Sequence, residues 1–247
     1  MKKSLQGNCI HYRFEPDEIP VTMELVGDIL YQGAPGEVIR EKMHSPGNQK
    51  ILKTVQERYT PLLNLRGWVR PVPTGLLREL FAESLADDSP IYGAVDDWVE
   101  TALFIATIGP APEDSIPGLQ KTGRITQALF LDAFLSVSTD QLAEIIMKDW
   151  AGGRIPEASA DGHRFCPQRY SPGYCRWDVS GQTALFGYMA DLDIPVSLTS
   201  GNMMHPRKSI SGILVVEKFA PGDVLTASCR RCGDHCPNIR RITCDRK

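Results

Sequence analysis

The feature that most constrains the fold of this chain is a long helical rhythm between Thr122 and Trp150. Apolar residues recur there at every third or fourth position, as they do along one buried face of a helix; they are Ile125, Leu129, Ala133, Val137, Leu142, Ile145 and Ile146. If the helix has a break, the polar run at 136–139 is where we expect it. The pair Gly152-Gly153 ends the helix, because glycine readily adopts the positive φ of a helix cap. The rest of the chain must therefore pack around one scaffold helix of about seven turns.

The segments on either side of this helix show both helical and extended patterns. Helices are predicted at 37–43, 49–59, 76–85 and 180–189, and strands at 9–14, 62–72, 196–199 and 209–216. The last two strands follow each other through a tight loop, so we expect them to pair antiparallel, with Met203, Met204 and His205 at the hairpin end. For the apolar run at 96–107, periodicity alone does not distinguish a helix from a buried strand.

Composition argues against several classes of protein. The chain has 247 residues, of which 42% are hydrophobic, enough for one sizeable core. No apolar run approaches the roughly 20 residues of a membrane span, and Lys2 and Lys3 are not followed by the apolar segment of a signal peptide. The net charge of −3 argues against a general nucleic-acid binder. We therefore expect a cytoplasmic protein that binds neither membranes nor nucleic acid.

The end of the chain differs from the rest in charge and in cysteine content. Residues 229–247 contain six Lys or Arg and two Asp, so this tail carries +4 and the remaining chain −7. Four of the seven cysteines also lie here: Cys229, Cys232, Cys236 and Cys244. We therefore expect two units, a folded domain at 1–228 and a cysteine-rich basic tail at 229–247.

The spacing of these tail cysteines indicates a metal site. Cys229-x-x-Cys232 followed by Cys236 brings three thiols within reach of one ion, and Cys244 or His235 would supply the fourth ligand. Structural zinc sites and iron–sulfur clusters both use such Cys-x-x-Cys geometry. An odd number of cysteines without an export signal favours reduced thiols over disulfides. Redox-active thiols without a metal, or a disordered tail, are the alternatives that the spacing leaves open.

The densest chemistry lies in the stretch Arg169-Tyr170-Ser171-Pro172-Gly173-Tyr174-Cys175, at the end of a predicted loop over 154–168. The guanidinium of Arg169 is a planar fork that suits a carboxylate. Pro172-Gly173 is typical of a type II turn, in which Pro takes φ near −65° and Gly takes a positive φ. Since glycine has no Cβ, the backbone of this turn can approach a ligand closely. The two tyrosines add flat faces with a polar tip. The site would hold a carboxylate at one end and a flat ring at the other; a surface turn with a salt-bridged Arg is the alternative.

The same stretch resembles the signature of a known family. Arg169-x-x-x-Gly173-Tyr174 is similar to the Arg-x-x-x-Gly-Tyr motif of the S-adenosylmethionine-binding activation domain of cobalamin-dependent methionine synthase. Three further stretches resemble that domain in the same order, namely 101–109, 128–133 and 198–212. The resemblance extends over roughly residues 90 to 216 and identifies the chain as similar to a stand-alone activation domain.

The resemblance implies a fold. It is an α+β fold with a twisted, mainly antiparallel sheet flanked by helices, to which this chain adds a small cysteine-rich C-terminal tail. The resemblance also favours, within the ambiguous run at 96–107, a helix that passes into a strand at Ala106. The strand pair within 198–212 is expected to close the site.

The resemblance also implies an activity. In the family, a methyl group passes from S-adenosylmethionine to a corrinoid whose cobalt has become inactive Co(II), with one electron from a donor such as a flavodoxin or ferredoxin. The implied ligand site is formed by Arg169, Tyr170, Ser171, Pro172, Gly173 and Tyr174. Arg169 would hold the methionyl carboxylate, the turn backbone would contact the adenosine, and Tyr174 would line the sulfonium end. No catalytic base is implied, because the sulfonium is already activated.

The corrinoid is expected to belong to another protein. Corrinoid domains ligate cobalt through an Asp-x-His-x-x-Gly motif, and Asp161-Gly162-His163 begins like it, but Cys166 occupies the position of the glycine. We therefore expect this chain to reactivate, by a methyltransferase-type reaction, a separate corrinoid-binding protein or corrinoid methyltransferase.

Two other functions stay open at this point. If the tail holds an iron–sulfur cluster, the chain would be an electron-transfer partner of a corrinoid system. If the chain binds S-adenosylmethionine without transferring its methyl group, it would be a non-catalytic sensor.

Overall fold

The structure is a computed structural model that describes residues 1–156 and 162–221. Six strands form the main sheet, and they are β1 (Lys2–Gln6), β2 (Cys9–Arg13), β3 (Arg66–Pro71), β4 (Trp98–Thr107), β5 (Arg164–Tyr170) and β8 (Ser209–Phe219). Their order in the sheet is β1-β2-β3-β4-β8-β5, and each neighbouring pair is antiparallel. A separate two-stranded sheet pairs β6 (Ser197–Leu198) with β7 (Met204–His205).

Helices cover both faces of the main sheet. They are α1 (Met23–Leu30), α2 (Gly36–Met43), α3 (Pro46–Tyr59), α4 (Thr74–Phe81), α5 (Pro90–Ala94), α6 (Ile116–Lys121), α7 (Ile125–Gly152) and α8 (Gly181–Gly187). One apolar cluster joins Val69, Phe104 and Leu214 of the sheet to α1, α2, α3 and α7. We call this side of the sheet the α7 face. The other cluster joins Trp68 and Ile213 to α4, α5 and α8, and that side is the α4 face. The predicted α+β class, with a mainly antiparallel sheet flanked by helices, is confirmed.

The scaffold helix predicted at 122–150 is present as α7, and it continues through the polar run at 136–139 without a break. Three hydroxyls in or next to that run donate to the carbonyl oxygen four residues earlier, at distances of 2.8–3.0 Å: Ser136 to Asp132, Ser138 to Phe134 and Thr139 to Leu135. Each hydroxyl is thereby satisfied inside the helix, so the polar run needs no break to find partners. The predicted buried stripe is wrong at the start of the helix, where Ile125 and Leu129 are 51% and 57% exposed.

The run at 96–107 is a strand rather than the helix that was expected to pass into a strand at Ala106. Its residues form β4, a central strand that pairs with β3 on one side and β8 on the other. Residues 101–107 are all buried. A strand covered on both faces is apolar at every position, and this is why its sequence pattern looked like that of a buried helix.

The strand pair predicted near the C-terminal end of the domain is assembled differently. The strand at 209–216 is present as β8, but it pairs with β4 and β5 and not with the segment at 196–199. That segment forms β6, which turns back on β7 through residues 199–203. Met204 and His205 therefore lie on a strand of a short hairpin of their own. A hairpin signal shows that two strands pair, but it does not identify which of several nearby strands is the partner.

The predicted loop at 154–168 is also partly a strand, because β5 begins at Arg164. β5 is the outer strand beside β8, and Arg169 and Tyr170 are its last two residues. Within the described ranges, the structure contains no helix with both the length and the apolar content needed to cross a membrane.

Candidate functional site

The end of β5 separates the first two residues of the predicted site. Successive side chains of a strand point to opposite faces of the sheet. Tyr170 lies in the core of the α4 face, and Arg169 reaches α7 on the other side. The sequence hypothesis placed both side chains in one ligand site, whereas the structure brings their backbones together and their side chains apart.

Arg169 forms an ion pair with Asp140 of α7. The Nη2 atom lies 2.5 Å from the Asp140 Oδ1 atom, and the two side chains are 12% and 25% exposed. A guanidinium carries five N–H donors, so the contact with Asp140 uses only some of the donors of Arg169. The sequence hypothesis had Arg169 facing a ligand in a cavity, whereas in the structure it is paired with a side chain of α7.

Tyr170 is anchored in the core of the α4 face. Its hydroxyl donates to Glu217 Oε2 at 3.0 Å, and its ring packs against Trp98 with centroids 5.4 Å apart. Tyr170 is 4% exposed and Glu217 is completely buried. Because a buried carboxylate needs hydrogen-bond partners, this contact fixes the end of β5 to β8. Tyr170 therefore positions the following turn and does not present its ring to a ligand.

The predicted turn at Pro172-Gly173 is present. Tyr174 N donates to Ser171 O at 3.1 Å, and Gly173 has φ of +92°, as the third residue of a type II turn requires. A Cβ atom on Gly173 would meet nothing within 4 Å, so the space beside this glycine is open. The Tyr174 side chain is 50% exposed.

A second turn follows directly and contains strained backbone. Trp177 N donates to Tyr174 O at 2.9 Å, and the two central residues, Cys175 and Arg176, have φ of 52° and 60°. Positive φ at both central positions is the geometry of a type I′ turn, which favours Asn and Gly. Left-handed backbone costs about 1–2 kcal/mol for each ordinary residue. Such strain persists only where surrounding contacts enforce it.

The contacts that enforce this turn come from the segment after α4. Ser89 Oγ donates to the Cys175 carbonyl at 2.6 Å, and Ala86 N donates to the Arg176 carbonyl at 3.1 Å. Asp178 N in turn donates to the Ser84 carbonyl at 2.8 Å. The α4–α5 connection therefore supports the backbone of the second turn along its whole length.

Gly212 of β8 permits the close approach of the first turn. A Cβ atom at this position would lie 2.1 Å from the Tyr170 carbonyl oxygen and 2.9 Å from Ser171 Oγ. Such contacts are far inside van der Waals distance, so only glycine fits while the backbone keeps its place. Gly212, which lies some forty residues after Arg169 in the sequence, therefore allows the start of the turn to pack directly against β8.

A cleft of about 610 Å³ opens beside Gly173, between the second turn and the segment after α4. Its lining includes Glu83, Leu85, Ala86, Gly173, Asp178 and Val179. Arg169 is not among the lining residues. The structure thus places the guanidinium and the cleft on opposite sides of the turn.

The predicted metal ligands Cys229, Cys232, Cys236 and Cys244 lie outside the described residues, so the metal site stays a prediction, as does the boundary of the tail at 229. Residues 1–156 and 162–221 contain no group of three His, Cys, Asp or Glu side chains placed to hold a metal ion. Cys9 and Cys175 are free thiols. Cys166 is disulfide-bonded, a departure from the expected reduced thiols, since spacing along the chain does not report contacts across the fold.

Sequence reasoning missed two carboxylates that position the site, Asp140 and Glu217. A signal for Asp140 was present, because the polar residues Asp132, Ser136 and Asp140 recur every four residues along α7. Such spacing places polar groups on one face, and Lys208 contacts the first two, at 2.7 Å and 2.8 Å. Glu217 stands in an apolar strand, where its burial has no signal in the sequence.

Comparison with known proteins agrees with this architecture. No family model matches the sequence, and no curated protein matches it. Among solved structures, a crystal structure of the MetH reactivation domain bound to AdoHcy matches with a TM-score of 0.55 and 12% sequence identity, over 89% of this chain and 80% of that chain. The resemblance to the methionine synthase activation domain is thereby confirmed at the level of the fold: this chain has the fold of the MetH reactivation domain.

Proposed function

We propose that this chain binds S-adenosylmethionine at the end of β5 and remethylates the corrinoid of a separate protein. The observation that carries the proposal is an Arg-x-x-x-Gly-Tyr motif, at Arg169 to Tyr174, in a fold shared with the MetH reactivation domain. That domain was solved with AdoHcy, which is what S-adenosylmethionine becomes when its methyl group leaves. The two molecules share the amino-acid group and the nucleoside, so a site that holds one of them has the shape to hold the other.

The Arg169–Asp140 pair supports recognition of the amino-acid end of the ligand. An amino acid carries one carboxylate and one ammonium, and the pair presents one guanidinium and one carboxylate. The ligand carboxylate would take the fork of Arg169, and the ligand ammonium would contact Asp140. On binding, Arg169 would exchange Asp140 for the ligand carboxylate, and Asp140 would exchange Arg169 for the ligand ammonium. Both charges would stay paired, which charges with little solvent exposure require.

The open turn supports the position of the rest of the ligand. Gly173 leaves space beside the backbone, and Tyr174 is exposed next to it. In the proposal, the backbone of Pro172, Gly173 and Tyr174 contacts the adenosine, and the Tyr174 side chain lines the sulfonium end. Tyr170 and Ser171 contribute by holding this turn against Glu217 and Gly212.

The chemistry requires positioning more than it requires a reactive side chain. S-adenosylmethionine supplies a methyl group that is already activated on a sulfonium, so the protein need not supply a base. The substrate is a corrinoid on a partner, either a corrinoid-binding protein or a corrinoid methyltransferase, and its Co(II) gains one electron from a donor such as a flavodoxin or ferredoxin. Co(I) then donates an electron pair to the methyl carbon, and the pair of the broken C–S bond stays on sulfur.

The test is calorimetric titration of the protein with S-adenosylmethionine, followed by a transfer assay. Cob(II)alamin and a chemical reductant are supplied with S-adenosylmethionine, and methylcobalamin is followed by its absorbance, with and without the protein. Binding together with protein-dependent methylation is the expected result. Binding without methylation would instead identify a sensor, and the lack of any binding would contradict the proposal.

A further inference from the structure

The negative charge of the domain is concentrated in one stretch, which runs from α4 to the start of β4. Residues 74–100 contain seven carboxylates and one cation, Arg78, so they carry a net charge of −6, whereas the rest of 1–228 carries −1. All seven carboxylates are exposed: Glu79, Glu83, Asp87, Asp88, Asp96, Asp97 and Glu100. Like charges at this density repel one another, so the stretch favours contact with a basic partner.

Most of these carboxylates have no cation beside them. Arg78 pairs with Asp96, and Arg176 pairs with Asp88. No other ion pair within residues 1–156 and 162–221 involves the stretch at 74–100. Five carboxylates are therefore available to cations from another part of the chain.

The chain returns to this stretch before the basic tail begins. β8 is antiparallel to β4, and Glu217 lies in register with Trp98. Residue 221, the last that the structure describes, follows four residues later. The tail starts eight residues further on, at Cys229, and so within about 29 Å of residue 221. A segment attached through so short a connection has an effective concentration of about millimolar, so weak surface ion pairs are sufficient to dock it.

Two further features of the start of β4 suit the tail. Val99 is 44% exposed and lies at a register shift in the pairing with β8, so it offers an apolar contact between the acidic residues. Cys166 of β5 is in register with Glu217 and hence in one row with Trp98, at a distance of about two strand spacings, or about 10 Å. Cys166 is disulfide-bonded, and four of the seven cysteines of the chain belong to the tail.

We propose that the basic tail at 229–247 docks on the domain where β4 begins, on a surface formed by Asp87, Asp97, Val99 and Glu100. Arginines of the tail pair with the carboxylates, since a guanidinium can donate two parallel hydrogen bonds to a carboxylate, and an apolar tail residue packs on Val99. One tail cysteine is the disulfide partner of Cys166. The tail would then form part of the domain surface, although its composition predicts a separate unit. This docking is independent of the proposed function, because it involves no contact with the ligand.

Two measurements on the full chain test the docking. The first is a peptide map of the non-reduced protein by mass spectrometry. Trypsin releases Cys166 in the peptide 165–169, because Arg164 and Arg169 flank that peptide, and the peptide should be linked to one from 229–247. The second is the rate at which trypsin cleaves the native protein after the tail arginines, which reports how often the tail leaves the surface.

A triple variant removes the charges of the docking surface, and a matched triple variant removes three exposed carboxylates elsewhere. The first is Asp87→Asn, Asp97→Asn and Glu100→Gln, and the second is Asp17→Asn, Glu37→Gln and Glu41→Gln. The first should raise the rate of tail cleavage by about threefold or more, because each exposed ion pair adds a small stabilisation and three are lost. The second should leave the rate unchanged.

Equal rates of tail cleavage in the first variant and the unmodified protein would overturn the docking. A peptide 165–169 that is unlinked, or linked outside the tail, would overturn it as well. The same holds for a link between two copies of the chain, which a doubled mass of the non-reduced protein would reveal.

Discussion

Gly212 and Tyr170 lie so close that a Cβ atom on the glycine would stand 2.1 Å from the carbonyl oxygen of the tyrosine. The replacement Gly212→Ala must therefore displace the end of β5 or the turn that follows it. We expect a loss of about 1–3 kcal/mol in the free energy of unfolding, the usual cost of overpacking, together with weaker binding of S-adenosylmethionine. Urea unfolding and calorimetry measure the two effects.

Gly187→Ala is the matched control for this prediction, since a Cβ atom there meets nothing within 4 Å. Its stability should stay the same or rise by up to about 1 kcal/mol, because alanine lowers the entropy of the unfolded chain, and its ligand affinity should stay near that of the unmodified protein. A Gly212→Ala variant with unchanged stability would show that the turn does not depend on the close approach.

Arg169 tests the amino-acid end of the site. Arg169→Ala should weaken the binding of S-adenosylmethionine by about 1.5–3 kcal/mol, the range for a lost hydrogen bond to a charged group. Arg70→Ala is the matched control, because Arg70 is 13% exposed, compared with 12% for Arg169, and is likewise paired with one carboxylate, that of Asp191. If both variants lose stability and neither loses affinity, the Arg169–Asp140 pair has a structural role only.

The strained turn predicts a stabilising substitution. Arg176→Gly should raise the free energy of unfolding by about 0.5–1 kcal/mol, since the left-handed strain of about 1–2 kcal/mol is relieved while glycine adds some unfolded-state entropy. Arg176→Ala removes the exposed ion pair with Asp88 but keeps a Cβ atom at φ 60°, so it should give no gain. Equal stabilities of the two variants in urea would show that the backbone there is not strained.

His11 predicts a dependence of stability on pH. The side chain is 7% exposed and stacks on Trp68 with centroids 4.9 Å apart. Burial first, and then the charges of Arg13 and Arg66, lower the pKa of His11. The unfolded chain therefore binds the proton first, and stability should fall as the pH falls below about 6.5, the ordinary pKa of histidine.

The variant His11→Phe keeps a ring against Trp68 and cannot take a proton. Urea unfolding at pH 7.5 and pH 5.5 should show a smaller loss of stability in this variant than in the unmodified protein. His44→Phe, at an exposed histidine, should leave the loss unchanged. An equal pH dependence in all three proteins would exclude His11 as its source.

Much of the fold could be predicted from local pattern, and α7 shows why. Its apolar rhythm extends over many turns, so one polar run does not obscure it. β4 shows the limit, because a strand buried on both faces has no alternation to read, and only its neighbours β3 and β8 determine what it is. The pairing of β8 shows the same limit. The order of segments along the chain predicted a pair with the segment at 196–199, but β8 pairs with β4 and β5 in the assembled sheet.

The candidate site was predictable at its turn and not at its side-chain contacts. Pro172-Gly173 determines its own backbone geometry, and the structure has the positive φ that the dipeptide predicts. The partner of Arg169 lies 29 residues earlier, and its identity depends on how α7 packs against β5. The prediction that the side chains of Arg169 and Tyr170 share one site was wrong. The two residues are adjacent in β5, and successive side chains of a strand point to opposite faces of the sheet.

The placement of Asp140 on α7 has a consequence for how this protein can change over generations. α7 packs against the core and also carries Asp140, the counter-charge of Arg169. A substitution at position 140 that changes ligand binding therefore also changes the helix that supports the core. We expect related sequences to alter positions 140 and 169 together, or to alter neither.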